Sequence, residues 1–259
     1  MHEFEAGIIR TEYRGNNTYM IDLSCSEIAR EAFPGQFIQV RTGNSTDPFL
    51  RRSISVCGAF PERGVIRIMI DVIGHGTDNV CSKKRGASLN IIGPLGKGFD
   101  MDLAGSKQCV LVAGGIGAAP LIFLAGHLKQ YTNRPVLFMF GARNSEALGI
   151  IDELIPDGVE VMTATDDGSS GFHGYVGTLF GKKISKINPG AVFTCGPEAM
   201  MRNVARISMK SGVPCQISFE EKMACGLGAC YGCVVEHNDG RMLRSCVDGP
   251  VFLADEVYT

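Results

Sequence analysis

Cys109-Val110-Leu111-Val112-Ala113-Gly114-Gly115-Ile116-Gly117-Ala118-Ala119-Pro120 is an apolar run that breaks into glycines and then enters a helix-length apolar segment, Leu121 to Tyr131. The texture recurs downstream. Val136-Leu137-Phe138-Met139-Phe140 is a second apolar run, and Ala191-Val192-Phe193-Thr194 is a third, leading through Cys195-Gly196-Pro197 into a helix-like segment from Glu198 to Ser211. Strand-like runs alternating with helix-length segments predict a parallel sheet.

Upstream, to about residue 103, the pattern is different. Short alternating runs such as Ile66-Arg67-Ile68-Met69-Ile70-Asp71 follow turn residues such as Pro61-Glu62-Arg63-Gly64, which predicts antiparallel strands in a small barrel. The 259 residues suffice for two modest domains and a small appendix. Expected units are an N-terminal antiparallel β-barrel (1–103), a central parallel-sheet α/β domain (104–214) and a small C-terminal domain (215–259). Apolar residues make up 45%, charged residues 20% and the net charge is −2, which argues against disorder and against nucleic acid as a partner. The first twenty residues carry no basic start followed by an apolar run, and no stretch approaches the roughly 20 apolar residues of a membrane span. A soluble, cytoplasmic protein without membrane contact is expected.

Ten cysteines divide unevenly: six are scattered and four crowd into the last part of the chain. The scattered set (Cys25, Cys57, Cys81, Cys109, Cys195, Cys215) lies in apolar or strand-like surroundings, where a thiol acts as a small buried hydrophobe. The crowded set reads Cys225-x4-Cys230-x2-Cys233-x12-Cys246, the plant-type spacing for a 2Fe-2S centre. A zinc knuckle is the alternative, but structural zinc prefers two C-x2-C pairs or cysteine with histidine, and one pair exists here. Gly226, Gly228, Ala229 and Gly232 leave the backbone free to wrap closely and aim N–H groups at sulfur.

Arg52-Ser53-Ile54-Ser55 reads as a strand that projects an arginine and a serine from one face. An arginine fork suits a diphosphate, and Ser55 suits a flavin edge. Gly74-His75-Gly76-Thr77-Asp78 looks like a glycine turn opening a helix, which makes Gly76 and Thr77 candidate phosphate contacts. Met69, Ile70 and Asp71 lead toward it and are candidates to lie beside the ring system. A surface arginine and an ordinary capped helix would look the same. His75 reads as an exposed turn residue, and Gly93-Pro94-Leu95-Gly96-Lys97-Gly98-Phe99 as a linker with turns.

Gly114, Gly115 and Gly117 allow a dinucleotide diphosphate to approach a helix start, although this is not the common G-x-G-x-x-G pattern and tight packing is the other reading. Cys195, Gly196 and Pro197 lie at the carboxyl end of another predicted parallel strand, where open sheets place ligands. Cys195 is therefore either close to a nicotinamide or an inert strand-end thiol. Arg143 and the Asp166-Asp167-Gly168 turn are expected near the same edge, with surface roles as the alternative. No His, Ser or Lys constellation for acid–base catalysis stands out.

Taken in order, Arg-x-Ile-Ser, Gly-Thr, Gly-Gly-x-Gly-x-Ala-Pro, Cys-Gly-Pro-Glu and the four cysteines resemble the ferredoxin-NADP reductase superfamily over essentially the whole chain. Glu221-Lys222-Met223-Ala224-Cys225-Gly226-Leu227-Gly228-Ala229-Cys230-Tyr231-Gly232-Cys233 and Cys246-Val247-Asp248-Gly249-Pro250-Val251-Phe252 are most similar to electron-transfer subunits of NAD-dependent, class B dihydroorotate dehydrogenases. That resemblance implies a flavin-binding barrel holding FAD, an NAD-binding α/β domain and an iron-sulfur domain, with electrons arriving from a separate FMN-containing subunit that oxidises dihydroorotate. It also implies two copies of each chain. Ser53 stands where many relatives carry proline, which leaves Arg52 and Ser55 in place. Flavin and iron-sulfur subunits serving a hydrogenase, a sulfide-handling enzyme or a transhydrogenase are the rival expectation, and a redox sensor that turns over no nucleotide is a second. Tyr231, Val234, Val235, Val251 and Phe252 are expected either to face the partner or to pack in the core.

Overall fold

The computed structural model describes residues 2–43 and 47–258. Met1 and Thr259, the outer limits of the expected first and third units, lie outside the described residues. The first six strands are β1 (His2–Tyr13), β2 (Thr18–Ser24), β3 (Phe37–Val40), β4 (Arg52–Phe60), β5 (Val65–Asp71) and β6 (Ser88–Leu95). They close an antiparallel barrel in the order β1-β2-β5-β4-β3-β6, flanked by the short helices α1 (Ser26–Glu31) and α2 (His75–Cys81). Period-two alternation drives the closure: Ile21 and Leu23, Ile66 and Ile68, and Leu89 and Ile91 share one core with Ile38, Val40 and Val56. Asp22 and Arg67, partners in the β2–β5 register, pair through two bonds of 2.7 and 2.9 Å.

The expected linker at Gly93 belongs instead to β6. Alternating burial of Leu89, Ile91, Gly93 and Leu95 carries the strand through Pro94, whose missing N–H falls close to the strand's end.

The parallel sheet comprises β7 (Cys109–Gly114), β8 (Val136–Ala142), β9 (Glu160–Thr165), β10 (Phe172–His173), β11 (Ala191–Cys195) and β12 (Cys215–Ser218). Between them run α3 (Ala118–Tyr131), α4 (Ser145–Leu148), α5 (Val176–Ile187) and α6 (Glu198–Lys210). A hairpin, β13 (Val234–Glu236) with β14 (Met242–Arg244), precedes β15 (Val251–Leu253) and α7 (Ala254–Val257). The sheet order is β10-β9-β8-β7-β11-β12-β15, with β15 antiparallel to β12. Cys215, expected to open a separate third unit, therefore starts a strand of this sheet. The cysteine segment is the connection from Phe219 to Pro250 between two neighbouring strands.

α3 covers one face of the sheet and lies against β4, so that Met20, Cys57 and Met69 of the barrel join Leu111, Leu121, Ile122 and Phe193 in one core. α5 and α6 cover the other face. The scattered cysteines are all buried and free. Among the described residues no helix is long and apolar enough to cross a membrane.

Candidate functional site

Strand order reverses between β7 and β11, and open sheets bind ligands outside the carboxyl ends of such strands. A cavity of about 810 Å³ opens there. Its walls come from the sheet (Gly114, Gly115, Arg143, Asp166, Gly196, Pro197), from the barrel (Asn16, Thr18, Asp71) and from the start of the cysteine connection (Phe219, Glu220).

The glycines there serve two purposes. A methyl group on Gly117 would stand 2.5 Å from the backbone carbonyl of Cys195, so this glycine exists for close packing of the β7 and β11 turns. Gly115, with φ +53°, has nothing within 4 Å of the same position and leaves its backbone open to a ligand. Of the two expected readings, packing holds for Gly117, and an open approach is left at Gly115.

Cys195 is buried at the end of β11 and does not line the cavity, although Gly196 and Pro197 do. Burial, then the charge of Glu220, push its thiol up to about 12, so it stays protonated and unreactive at neutral pH. Asp71, Glu220 and Glu221 are perturbed carboxyls on the cavity wall, Glu221 raised by burial and then by the charge of Glu198. Desolvation also raises Asp71 and Glu220, with the Asp71 charge adding at Glu220 and the Thr18 hydroxyl, 2.5 Å from Asp71, opposing at Asp71. These carboxyls can therefore hold a proton at a higher pH than a free carboxylate.

Arg52 and Thr77 form a second locus on the barrel, outside that cavity. Arg52 opposes Val40 and Ile54 opposes Ile38, while Ser53 and Ser55 oppose Gln39 and Phe37. The expected shared face of arginine and serine is thus corrected: Arg52 shares its face with Ile54, because the strand repeat is two. The Arg52 guanidinium lies over Gly76, where a methyl would come within 2.9 Å of it. One nitrogen of the fork donates to the Leu50 carbonyl (2.6 Å), and its Nε–Nη2 edge faces the start of α2, a charged donor edge of the kind a diphosphate needs. Thr77 is committed locally: its hydroxyl accepts from the N–H of Ile73 (3.0 Å) and donates to the carbonyl of Gly74 (3.0 Å). Met69 and Ile70 are only 2% exposed and spend their side chains on packing, one against the sheet domain and one inside the barrel.

The cysteine connection forms the third locus. Cys233 and Cys246 are buried against Phe37 and Leu95 at the barrel end, Cys225 is partly covered and Cys230 is exposed. Backbone N–H groups aim at sulfur: Leu227 to Cys225 (3.3 Å), Gly228 to Cys246 (3.2 Å) and Gly232 to Cys230 (3.5 Å). Burial would raise Cys225, but N–H donors from Leu227, Cys230 and Ala229, together with the Cys230 thiol, bring it down to about 6. Burial and the neighbouring Cys233 thiol push Cys246 up to about 11. The Cys225 thiol thus neighbours Cys230, and the Cys246 thiol neighbours both Cys233 and Cys225, so the four form one connected set. Among the described residues no three His, Cys, Asp or Glu side chains gather to hold a single metal ion. Four connected thiols with backbone N–H groups aimed at three of them fit a centre that spreads four thiolates over two irons. Arg244 anchors the loop by donating to Asp248 (3.2 Å) and to the carbonyl of Gly228 (3.1 Å), and its guanidinium lies 5.4 Å from the Tyr231 ring centroid.

Several wall residues escaped the sequence reading. Asn16 and Asn17 adopt φ of 48° and 60° in the β1–β2 turn, and their signal was the Gly15-Asn16-Asn17 tripeptide. Glu220 was marked by its place just beyond the carboxyl end of a sheet strand. Of the expected apolar partner contacts, Val235, Val251 and Phe252 are buried and belong to packing. Tyr231 is exposed and is joined by Leu227, Met242 and Val247.

A flavin-type barrel, a nucleotide-type sheet and a four-thiol loop in contact define an oxidoreductase of the ferredoxin reductase-like class. The NADH-dependent reduced ferredoxin-NADP oxidoreductase, described in connection with flavin-based electron bifurcation, superposes with TM-score 0.87 at 27% identity, over 97% of this chain and 89% of its own. A ferredoxin NADP+ reductase from Neisseria gonorrhoeae shares the fold at 16% identity, TM-score 0.67, over 82% of this chain and 92% of its own. The iron-sulfur cluster binding domain of dihydroorotate dehydrogenase B matches residues 220–258. The electron transfer subunit of dihydroorotate dehydrogenase B (NAD(+)) from Desulforamulus reducens is 38% identical over 252 residues, 96% of this chain and 95% of that protein. The same-named subunit from Clostridium acetobutylicum is 38% identical over 228 residues, 88% and 87% of the two chains. The chain belongs to the family of dihydroorotate dehydrogenase B electron-transfer subunits. It is an oxidoreductase subunit that uses FAD and an iron-sulfur cluster with NAD as acceptor.

Proposed function

We propose that the chain takes electrons from an FMN-containing, dihydroorotate-oxidising subunit, conducts them through a 2Fe-2S cluster on Cys225, Cys230, Cys233 and Cys246 and through FAD, and delivers them to NAD in the pyrimidine pathway. The observation that carries this reading is the placement of the thiol loop. It leaves the sheet beside the nucleotide cavity and packs on the barrel end, so all three loci lie in one contiguous body. Arg52 and Gly76 would hold the flavin diphosphate. Gly115, Gly196 and Pro197 would border the nucleotide, with Arg143 and Asp166 further along the same wall. When bound, the flavin supplies the exchange between paired and single electrons that a one-electron cluster requires. The protein's part is to bind, orient and insulate.

Leu227, Tyr231, Met242 and Val247, exposed apolar residues of the cysteine connection, would meet the partner, since electron transfer needs close approach. Two copies of each subunit are proposed. Six buried free thiols fit a reducing cytoplasm. The reaction balances: dihydroorotate loses two electrons and two protons to become orotate, NAD+ takes both electrons and one proton, and one proton is released.

The test is anaerobic purification of this chain with and without the co-expressed partner. Dihydroorotate-dependent NADH formation that needs both chains is the expected result. Flavin and cluster present without that activity would redirect the search to hydrogenase, sulfide-handling or transhydrogenase partners.

A further inference from the structure

Gln39 is the one amide in the apolar strand Phe37-Ile38-Gln39-Val40, and it is fully buried. Neither its Nε2 nor its Oε1 finds a hydrogen-bond partner among the described residues. An unpaired buried amide costs about 1–3 kcal/mol, so a fold keeps one where something absent from the polypeptide completes it. Its direction is defined by strand alternation: Ile38 and Val40 point into the barrel core, so Phe37 and Gln39 point out of the barrel. Phe37 lands on Cys233 and Cys246. Gln39 lands on Gly226, where a methyl group would stand 2.6 Å from Nε2 and 2.7 Å from Cγ. Gly226 follows Cys225 directly and has φ +69°, so only glycine fits there both in conformation and in space. A second orphan flanks the other end of the thiol set: Ser245, next to Cys246, is fully buried with its hydroxyl unpartnered, while its N–H is spent on the Cys233 carbonyl (2.9 Å). The two unsatisfied groups therefore bracket the cysteine loop.

We propose that Gln39, a barrel residue, donates its Nε2–H to a sulfur of the iron-sulfur centre, so that the flavin-binding barrel contributes a hydrogen bond to the cluster as well as a surface for it. This rests on the assignment of the cluster to the four cysteines. Ser53, the register partner of Gln39 on β4, shares that outward face. A hydrogen bond to sulfur favours the reduced, more negative cluster, so its loss makes reduction harder.

The test uses the anaerobically purified holo-subunit with side-chain ¹⁵N-labelled glutamine, its cluster reduced with dithionite. Pulsed EPR of the wild-type protein is expected to show a ¹⁵N coupling and an exchangeable proton on the cluster. Gln39→Met is expected to remove the ¹⁵N coupling, while exchangeable protons from the backbone N–H groups of Leu227, Gly228 and Gly232 persist, and to move the midpoint potential to more negative values with iron content unchanged. Absence of a ¹⁵N coupling in the wild type overturns the proposal, even if Gln39→Met fails to fold. So does a Gln39→Met protein whose spectrum and potential match the wild type. A purified protein holding no iron and sulfide would instead refute the cluster assignment, which separates the two failures.

Discussion

The barrel and the cysteine loop touch along β3 and β6 but are held by different forces. In the barrel, every strand has two neighbours, the interior is filled by its own branched side chains, and Asp22 is neutralised by Arg67 in register. The loop has one three-residue hairpin, and much of its polar geometry converges on sulfur. Its buried Cys246 thiol is pushed up to about 11 by burial and by the neighbouring Cys233, and the nearest barrel amide is unsatisfied. The barrel interior is thus complete as a polypeptide, whereas the loop, with the barrel face at Gln39 that meets it, has a shape that bound iron and sulfide would complete.

The sharpest way to break this contrast is Cys246→Ser. It is expected to abolish iron and sulfide binding and to strip amide-exchange protection from β13 and β14, while flavin content stays near that of the wild type. Retained iron would show that Cys246 is not a ligand, and lost flavin would show that the barrel depends on the loop. Asp22→Ala attacks the other side. Leaving Arg67 unpaired in a largely buried site should destabilise the barrel by about 3 kcal/mol in denaturant unfolding, with iron per folded chain unchanged. A change below about 1 kcal/mol would mean the pair acts as a surface ion pair.

Gly76→Ala should displace the Arg52 fork and weaken FAD binding roughly tenfold, about 1.4 kcal/mol, without altering apoprotein stability, because a guanidinium is the mobile end of its side chain. Unchanged FAD affinity would place the diphosphate elsewhere. Glu220→Gln should have the smallest effect. The folded pKa of Glu220 is raised, so its stabilising contribution is fully present below the ordinary carboxylate range and is lost as pH rises through the folded value. The variant should therefore lose less stability than the wild type between acid and neutral pH. A steeper decline in the variant would contradict the direction of the shift.

Both textures that separate barrel from sheet were readable, because alternating and continuous apolar runs reflect one-sided and two-sided burial. Extension of β6 through Gly93-Pro94 was hidden by residues that usually mark turns, yet inward alternation persisted beneath them. β15 was illegible as part of the sheet, since three residues carry no period of their own and follow the cysteines in sequence. At the site, the thiol spacing was explicit and the opposite faces of Arg52 and Ser55 already follow from their odd separation on a strand, whereas the packing role of Gly117 depends on the β11 turn, far away in sequence. Gln39 left a faint trace, a lone amide in an otherwise apolar strand, and only its surroundings give that trace a meaning.

β12 and β15 are antiparallel neighbours, with Ser218 directly opposite Val251. In topological terms the whole iron-sulfur segment is therefore an overgrown hairpin turn, whose two stems already stand side by side. A module of this kind can be inserted or excised at a single point without rerouting the rest of the chain, and a tight two-residue turn such as Asn-Gly would close the cut. The excised molecule would be a plain flavin–nucleotide reductase. It would also expose Phe37 and Leu95, the scar by which a graft onto the barrel would be recognised.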